Sequence, residues 1–447
     1  MPKLSQLKPL WLTLMVLGLV YELGCLTYWI KDYGSYTKPI IWLVAGLVTA
    51  LAALPLLAFE QEEKGTPMGR KSWPKWLVTF LVFGWGAVYI GQHLQAIFLA
   101  FEIGPLNSDI VPSLQFYVRR LLSGEFAYNP MQFPGWTVYP TYFPLLWLPY
   151  IFSEVLSIDY RWTAYLLFLL AILLYNRWLI RQDISPIEAG LKAALPFVMV
   201  FSFIYNTEKV FGHAVELLPI AYYLILCLST FHRSRWFMAL GILLCLLSRY
   251  AFTFWLPLYL LFYWIEKGFK PVFNVSLLVL LGVVLLYILP FMSKDWGILQ
   301  RGLAYYSKTA ITQWEPQPWQ SKDDIPFHLN QGQSFARYFY DKTELEVADR
   351  LSLNRKVHLL ACFIAAGLIA AFYFFFRKRG LNTRWFLIIA LKFYLTIFYG
   401  FFYVPFSYLY MLPLFISLPL FYRVPWASTF KALIPSASSK EQAQQIT

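Results

Sequence analysis

Apolar runs of about 20 residues, each long enough to cross a hydrocarbon core, recur from one end of this 447-residue chain to the other. They fall near residues 9–30, 39–59, 75–101, 159–180, 188–205, 213–231, 273–292, 356–376, 384–402 and 405–423. Inside a bilayer every backbone polar group must be satisfied within the protein, so spans of this length are helices. Composition agrees: charged residues make up 14% of the chain, against about 25% in soluble domains. The expected fold class is an all-α polytopic membrane protein, with residues 1–447 forming one integral-membrane domain.

The formal charge of +13 does not point to nucleic acid, because Lys and Arg fall mostly in short links between apolar runs, where they set topology. All four cysteines, Cys25, Cys227, Cys245 and Cys362, lie inside apolar runs. That pattern suits neither a disulfide framework nor a zinc spacing, and no cofactor or metal ligand set is expected. The first run follows Lys3 and Lys8 like a signal sequence but lacks a small-x-small cleavage site, so it is read as retained.

Charge orients the spans. Lys3 and Lys8, with Lys64, Arg70, Lys71 and Lys75, put the N-terminus inside and the long link after the third run outside. Counting back from an inner C-terminus places Arg377-Lys378-Arg379, Lys267 with Lys270, Arg233 with Arg235, and Arg177 with Arg181 inside, provided that 235–267 is a hairpin of two short spans. Both counts agree if 142–158, broken by Pro144 and Pro149, enters and leaves on the outer side. The sum is about 12 transmembrane helices; Lys31 and Lys38 run against it.

Two long links then lie outside, 102–158 and 293–355. In the first, Val111, Leu114, Val118 and Leu121 share one face of a helix-period segment, with Ser113, Arg119 and Arg120 facing elsewhere and a stop at Gly124. Such a helix suits the interface plane. The second link carries Trp296, Trp314 and Trp319 with a turn-prone Glu315-Pro316-Gln317-Pro318, and reads as a small folded unit on the outer face. The polar tail 436–447 reads as disordered.

Asp109 opens the helix-period segment, where Asp is an ordinary N-cap. It is also placed to act as a general base at the membrane surface, with Ser108 available as the cap in its stead. The string Ser108-Asp109, Tyr117, Leu122-Ser123-Gly124-Glu125-Phe126-Ala127-Tyr128-Asn129-Pro130, Tyr139-Pro140 and Pro144-Leu145-Leu146 resembles the signature region of GT-C membrane glycosyltransferases. It is most similar to family 87, the polyprenol-phosphate-mannose-dependent mannosyltransferases. The match is a spaced pattern over about 40 residues, and Tyr139-Pro140-Thr141-Tyr142-Phe143-Pro144 departs from that family's contiguous prolines. The resemblance implies a GT-C-like fold, Asp109 as catalytic base, and transfer of mannose or a related sugar from a polyprenyl-phosphate donor to a lipid, glycan or protein acceptor.

Further candidates gather at the outer ends of spans. Glu208, Lys209, His213 and Glu216 follow the run 188–205, and each could line a site, although a lone His or Glu at a helix start is usually just solvated. Lys209 could meet an anion. Arg249-Tyr250 falls at the outer turn of the 235–267 hairpin; the resemblance implies a basic residue there, and Arg grips phosphate bidentately. Snorkelling to headgroups is the plain alternative. Tyr139 belongs to the same spaced pattern, and Lys392, in mid-run, either lines the site or pairs with a carboxylate inside the bundle.

The expected function is thus a transferase whose partners are a polyprenyl-phosphate-linked sugar, membrane lipid and an external acceptor, working with inversion on the outer face of a bacterial inner membrane. A multispan transporter or flippase is the alternative. Transporters tend to show repeated halves with paired broken helices, and no such pairing is legible here.

Overall fold

Long apolar helices dominate the described residues, and among these residues seven helices are long and apolar enough to cross a membrane: Lys8–Leu26, Gly34–Ala58, Trp73–Ala100, Tyr160–Leu179, Pro186–Thr207, Phe269–Met292 and Val347–Arg379. The structure, a computed structural model, describes residues 7–27, 34–59, 73–207, 209–321 and 323–426. The tail 436–447 and Glu208 lie outside them. The helices Phe269–Met292 and Val347–Arg379 turn Leu277, Leu281, Leu285, Leu289, Phe363 and Leu368 outward. Apolar side chains all round a helix fit lipid rather than water.

The expected count of about 12 spans is not reached by full-length helices. The remaining segments of the bundle are the shorter helices Leu217–Phe231, Arg235–Leu246, Ala251–Lys267 and Thr383–Gly400, with Met411–Phe415 and Ser417–Arg423 after them. A 15-residue helix such as Leu217–Phe231 is about 22 Å long at 1.5 Å per residue, short of a hydrocarbon core of about 30 Å. The reason is visible at the helix ends, where Glu216, Ser248 and Arg249 interrupt the apolar runs. These short helices stop early, and their ends leave a polar recess.

Small residues let the helices approach. A Cβ on Gly18 would stand 2.4 Å from Thr49 Oγ1, and one on Gly86 would strike the Phe197 ring at 2.6 Å, the kind of close contact that drives helix association where water supplies no hydrophobic force. Buried charges pair inside the bundle. Lys192 Nζ meets Glu188 Oε1 at 2.8 Å and the Val424 carbonyl at 2.7 Å, and Glu188 in turn accepts the Trp426 N–H. That cluster ties the end of the described chain to the Pro186–Thr207 helix.

Both long links sit on one face. The Tyr139 and Tyr305 rings lie 5.4 Å apart, Phe335 N–H donates to the Gly400 carbonyl, and Gln333 Nε2 donates to the Cys25 carbonyl. On the opposite face Asn382 N–H donates to the Ala58 carbonyl at 2.7 Å and Lys75 Nζ to the Gln182 carbonyl at 2.7 Å. The second link has a core of its own, with Ala310, Trp314, Leu329, Ala336 and Leu351 buried against Val404. It ends sooner than the sequence suggests: residues 347–355 already belong to the 30-residue helix Val347–Phe376, because 347–355 carries no helix breaker.

In the first link the helix runs Ile110–Leu122 with Val111, Leu114 and Val118 buried. Ser113, expected on the other face, is buried as well. Gly124 at φ +77° closes the helix: Glu125 N–H bonds to the Arg120 carbonyl and Gly124 N–H to that of Leu121, the two bonds of a Schellman cap. A short ribbon then pairs Met131–Phe133 with Trp136–Val138, turning at Pro134-Gly135 with Gly135 at φ +91°. The sequence reading did not anticipate that ribbon. Segment 142–158 forms three short pieces, Pro144–Trp147, Leu148–Tyr150 and Ile151–Val155, and then leads into Tyr160–Leu179.

Candidate functional site

The start of the Ile110–Leu122 helix separates capping from chemistry. Asp109 occupies the N-cap position, yet its side chain caps nothing. Ser108 serves instead: its Oγ accepts from Ile110 N–H at 3.3 Å and donates to the His213 carbonyl at 3.0 Å. One hydroxyl thus fastens this helix start to the short helix Lys209–His213 and leaves the Asp109 carboxylate free of the capping role. The Asp109 tip is open to solvent, but surrounding protein partly desolvates the carboxyl and raises it above its ordinary value, against the pull of its own backbone N–H.

Across from Asp109 runs an extended stretch, 139–143, whose backbone has neither helix nor sheet to satisfy it. Tyrosine hydroxyls do so. Tyr142 N–H donates to Tyr117 Oη at 3.1 Å, Tyr128 Oη–H to the Tyr142 carbonyl at 2.9 Å, and Tyr250 Oη–H to the Thr141 carbonyl at 2.8 Å. Just beyond, Leu145 N–H donates to the Leu247 carbonyl and Tyr222 Oη–H to the Leu145 carbonyl. Buried backbone groups need such partners, and here the partners come from four different elements. They hold the Tyr142 side chain in place.

Deeper in the recess Arg249 Nη2 donates to Glu216 Oε2. The Glu216 side chain is 2% exposed and that of Arg249 18%, so the pair is desolvated on the carboxylate side and reachable on the guanidinium side. Glu216 Oε1, Arg249 Nε and the buried hydroxyls of Tyr150 and Tyr223 have no protein partner. Both charges of the pair act on Tyr150, and that of Arg249 acts on Tyr223. Native structures rarely leave so many buried polar atoms unsatisfied in one place. A cavity of about 10 Å³, room for about one water, opens here between Ile110, Tyr142, Glu216, Arg249 and Tyr408.

Electrostatics bind these pieces into one site. Tyr142 and Tyr408 each feel the charges of both Asp109 and Arg249, so the two phenols lie near both the Asp109 carboxylate and the ion pair. Burial pushes Glu216 up to about 7, although Arg249 pulls the other way. Burial also works against the charge of Arg249, but attraction to Glu216 outweighs it and the guanidinium stays protonated.

The other expected residues are distributed as follows. Tyr250 closes the near rim, its ring 4.4 Å from Phe143. Tyr139 sits one ring further out, beside Tyr305, which itself feels Asp109. His213 contributes its carbonyl, and its ring packs edge-on against Phe101. Lys209 starts the short helix that ends at His213. Lys392 is a correction: it does not line the cleft. Its ammonium is fully buried on Glu22, 2.5 and 2.7 Å from the two carboxylate oxygens, and donates to the Pro413 carbonyl. A lysine in the middle of an apolar helix needs a counter-charge inside the bundle, and the Glu22 carboxylate of the first helix supplies it.

Three contributors are not marked in the sequence. Tyr142 and Tyr408 were part of apolar runs, with no local signal to separate them from structural aromatics. Arg161 is the third. Buried at 3% exposure, it binds Asp159 and donates to the carbonyls of Phe98, Phe101 and Gly212, clamping the outer ends of three helices around the site. Its place two residues after an N-cap Asp was the available clue. Among the described residues no three His, Cys, Asp or Glu side chains are placed to hold a metal ion.

No family model, curated protein or solved structure matches this chain.

Proposed function

We propose that this chain is a membrane glycosyltransferase of the GT-C type, similar to family 87, that moves mannose or a related sugar from a polyprenyl-phosphate donor to an acceptor outside the cell membrane. The two long links form its outer, periplasmic face in this reading. Asp109 takes the proton from the acceptor hydroxyl as that oxygen attacks the anomeric carbon. Arg249 holds the donor phosphate and steadies the charge that collects on it as the bond to the sugar breaks. Attack opposite the leaving phosphate inverts the anomeric centre.

One observation carries this reading: a carboxylate whose capping role Ser108 has taken and a half-buried arginine with an unpartnered N–H both act on the same two phenols, Tyr142 and Tyr408. A base and an anion holder are the two groups that such a transfer requires. Short helices that end in polar residues support it further, because a helix of about 22 Å beside full-length spans leaves its polar end within reach of a lipid phosphate in this reading. The test is incubation of the purified protein in lipid with radiolabelled polyprenyl-phosphate sugars and candidate acceptors. Labelled acceptor is the expected product; no transfer from any of these donors would remove the proposal.

A further inference from the structure

Building on this donor reading, we propose that Glu216 is a second catalytic carboxyl: the donor phosphodiester displaces it from Arg249, it takes up a proton on release, and it returns that proton to the departing phosphate.

Space makes the displacement necessary. A cavity of about 10 Å³ admits about one water and no phosphodiester, so a phosphate that takes the anion position on the guanidinium must move the side chain that fills it. Glu216 already occupies the anion position on Arg249. Once displaced it has nowhere favourable to hold a charge. Its Oε1 has no partner even now, and the surrounding groups are phenols: Tyr150 from the 142–158 segment, Tyr399 from the Thr383–Gly400 helix and Tyr408 beyond it. Arg249 is the cation facing it and Asp109 the further carboxylate, with Tyr142 and Tyr408 near both. A buried carboxylate that loses its partner cation protonates, and burial already pushes Glu216 up to about 7.

The chemistry then balances. The donor phosphodiester carries one negative charge. As the bond from the anomeric carbon to the phosphate oxygen breaks, its electron pair goes to the phosphate, while the acceptor oxygen forms the new bond and passes its proton to Asp109. The departing monoester would hold a second charge. Glu216 gives it a proton, becomes a carboxylate and re-pairs with Arg249, which loosens the product. Asp109 releases its proton to solvent, and Glu216 takes one up with the next donor.

A short-chain prenyl methyl phosphodiester is the probe, because it lacks the second ionisation near pH 6 that a monoester would bring. Its binding to the full-length protein in detergent is measured by calorimetry in two buffers of different ionisation heat, at about pH 8 and about pH 5.5, either side of the Glu216 midpoint. Close to one proton should be taken up per molecule bound at the higher pH and little at the lower. Glu216→Gln should bind the probe at least as tightly and take up none. Binding without proton uptake in the unaltered protein, or equal uptake by Glu216→Gln, overturns the role of Glu216 and leaves the donor site standing. No binding of the probe by the unaltered protein overturns both.

Discussion

Arg249 and Glu216 form an ion pair in which each partner keeps one buried polar atom unsatisfied, Nε on the arginine and Oε1 on the glutamate. A pair kept for stability alone would have those atoms matched, since half-satisfied buried networks are costly. Arg249→Ala strands a buried carboxylate and should cost about 3–5 kcal/mol of stability, besides abolishing binding of a phosphodiester. Replacing both residues, Arg249→Met with Glu216→Leu, should restore most of the stability and none of the binding. Thermal denaturation in detergent and calorimetric titration separate the two effects; binding that survives the double substitution would contradict the donor site.

The rate should depend on pH in two limbs. Burial raises Asp109 above 3.8, so kcat/KM for donor should fall as pH drops through a midpoint above that value and the base is protonated. On the alkaline side donor binding requires Glu216 to take up a proton, so kcat/KM should fall by up to tenfold per unit as pH rises beyond about 7. Glu216→Gln should remove the alkaline limb and keep the acid one. A pH profile of initial rates with each protein checks both.

The Tyr117 hydroxyl accepts the Tyr142 N–H at 3.1 Å. Tyr117→Phe leaves that buried donor without a partner, at a cost of about 1–3 kcal/mol, and loosens Tyr142 near Asp109 and Arg249. kcat should fall while donor affinity changes little, because Arg249 is held independently. Paired rate and binding measurements test the split.

Lys392 and Glu22 should behave differently. Lys392→Met leaves Glu22 buried and uncompensated, so it should destabilise by about 3–5 kcal/mol and leave the affinity of the folded protein for the phosphodiester unchanged. A large loss of affinity at unchanged stability would return Lys392 to the site.

Much of this arrangement was legible in the chain, and for identifiable reasons. Helix periodicity and Gly124 marked the Ile110–Leu122 helix and its end, because amphipathic spacing and a left-handed C-terminal residue are local properties. The charge pattern expects the two long links on one side, and the structure gathers them on one face. What could not be read was partnership across distance. Nothing near Lys392 in sequence names Glu22, 370 positions away, and nothing near Arg249 names Glu216. The tyrosine hydroxyls that hold 141–145 come from Tyr117, Tyr128, Tyr222 and Tyr250, ordinary aromatics until the fold assembles them. Full-length helices do not reach the count of about 12 spans for another reason, since helices that end early around a recess fall below the length by which spans are recognised.

Cysteine labelling tests the sidedness on which the outer site depends. All four native cysteines are buried, so background reaction should be low. Glu125→Cys and Trp319→Cys, both at exposed positions, should react with an impermeant maleimide from the outside of intact cells, and Arg379→Cys only after the inner face is opened. Reaction of the first two from opposite sides would break the shared face.

Asp109→Asn is the most direct measurement. Asn caps a helix about as well as Asp, and here Ser108 carries the bond in any case, so the variant should fold and bind donor normally. Loss of a general base typically costs roughly 10²–10⁴-fold in rate. The purified variant, reconstituted with labelled polyprenyl-phosphate sugar and acceptor, should therefore bind donor with unchanged affinity and transfer at least about 10²-fold more slowly. Transfer at the rate of the unaltered protein would contradict a base at Asp109.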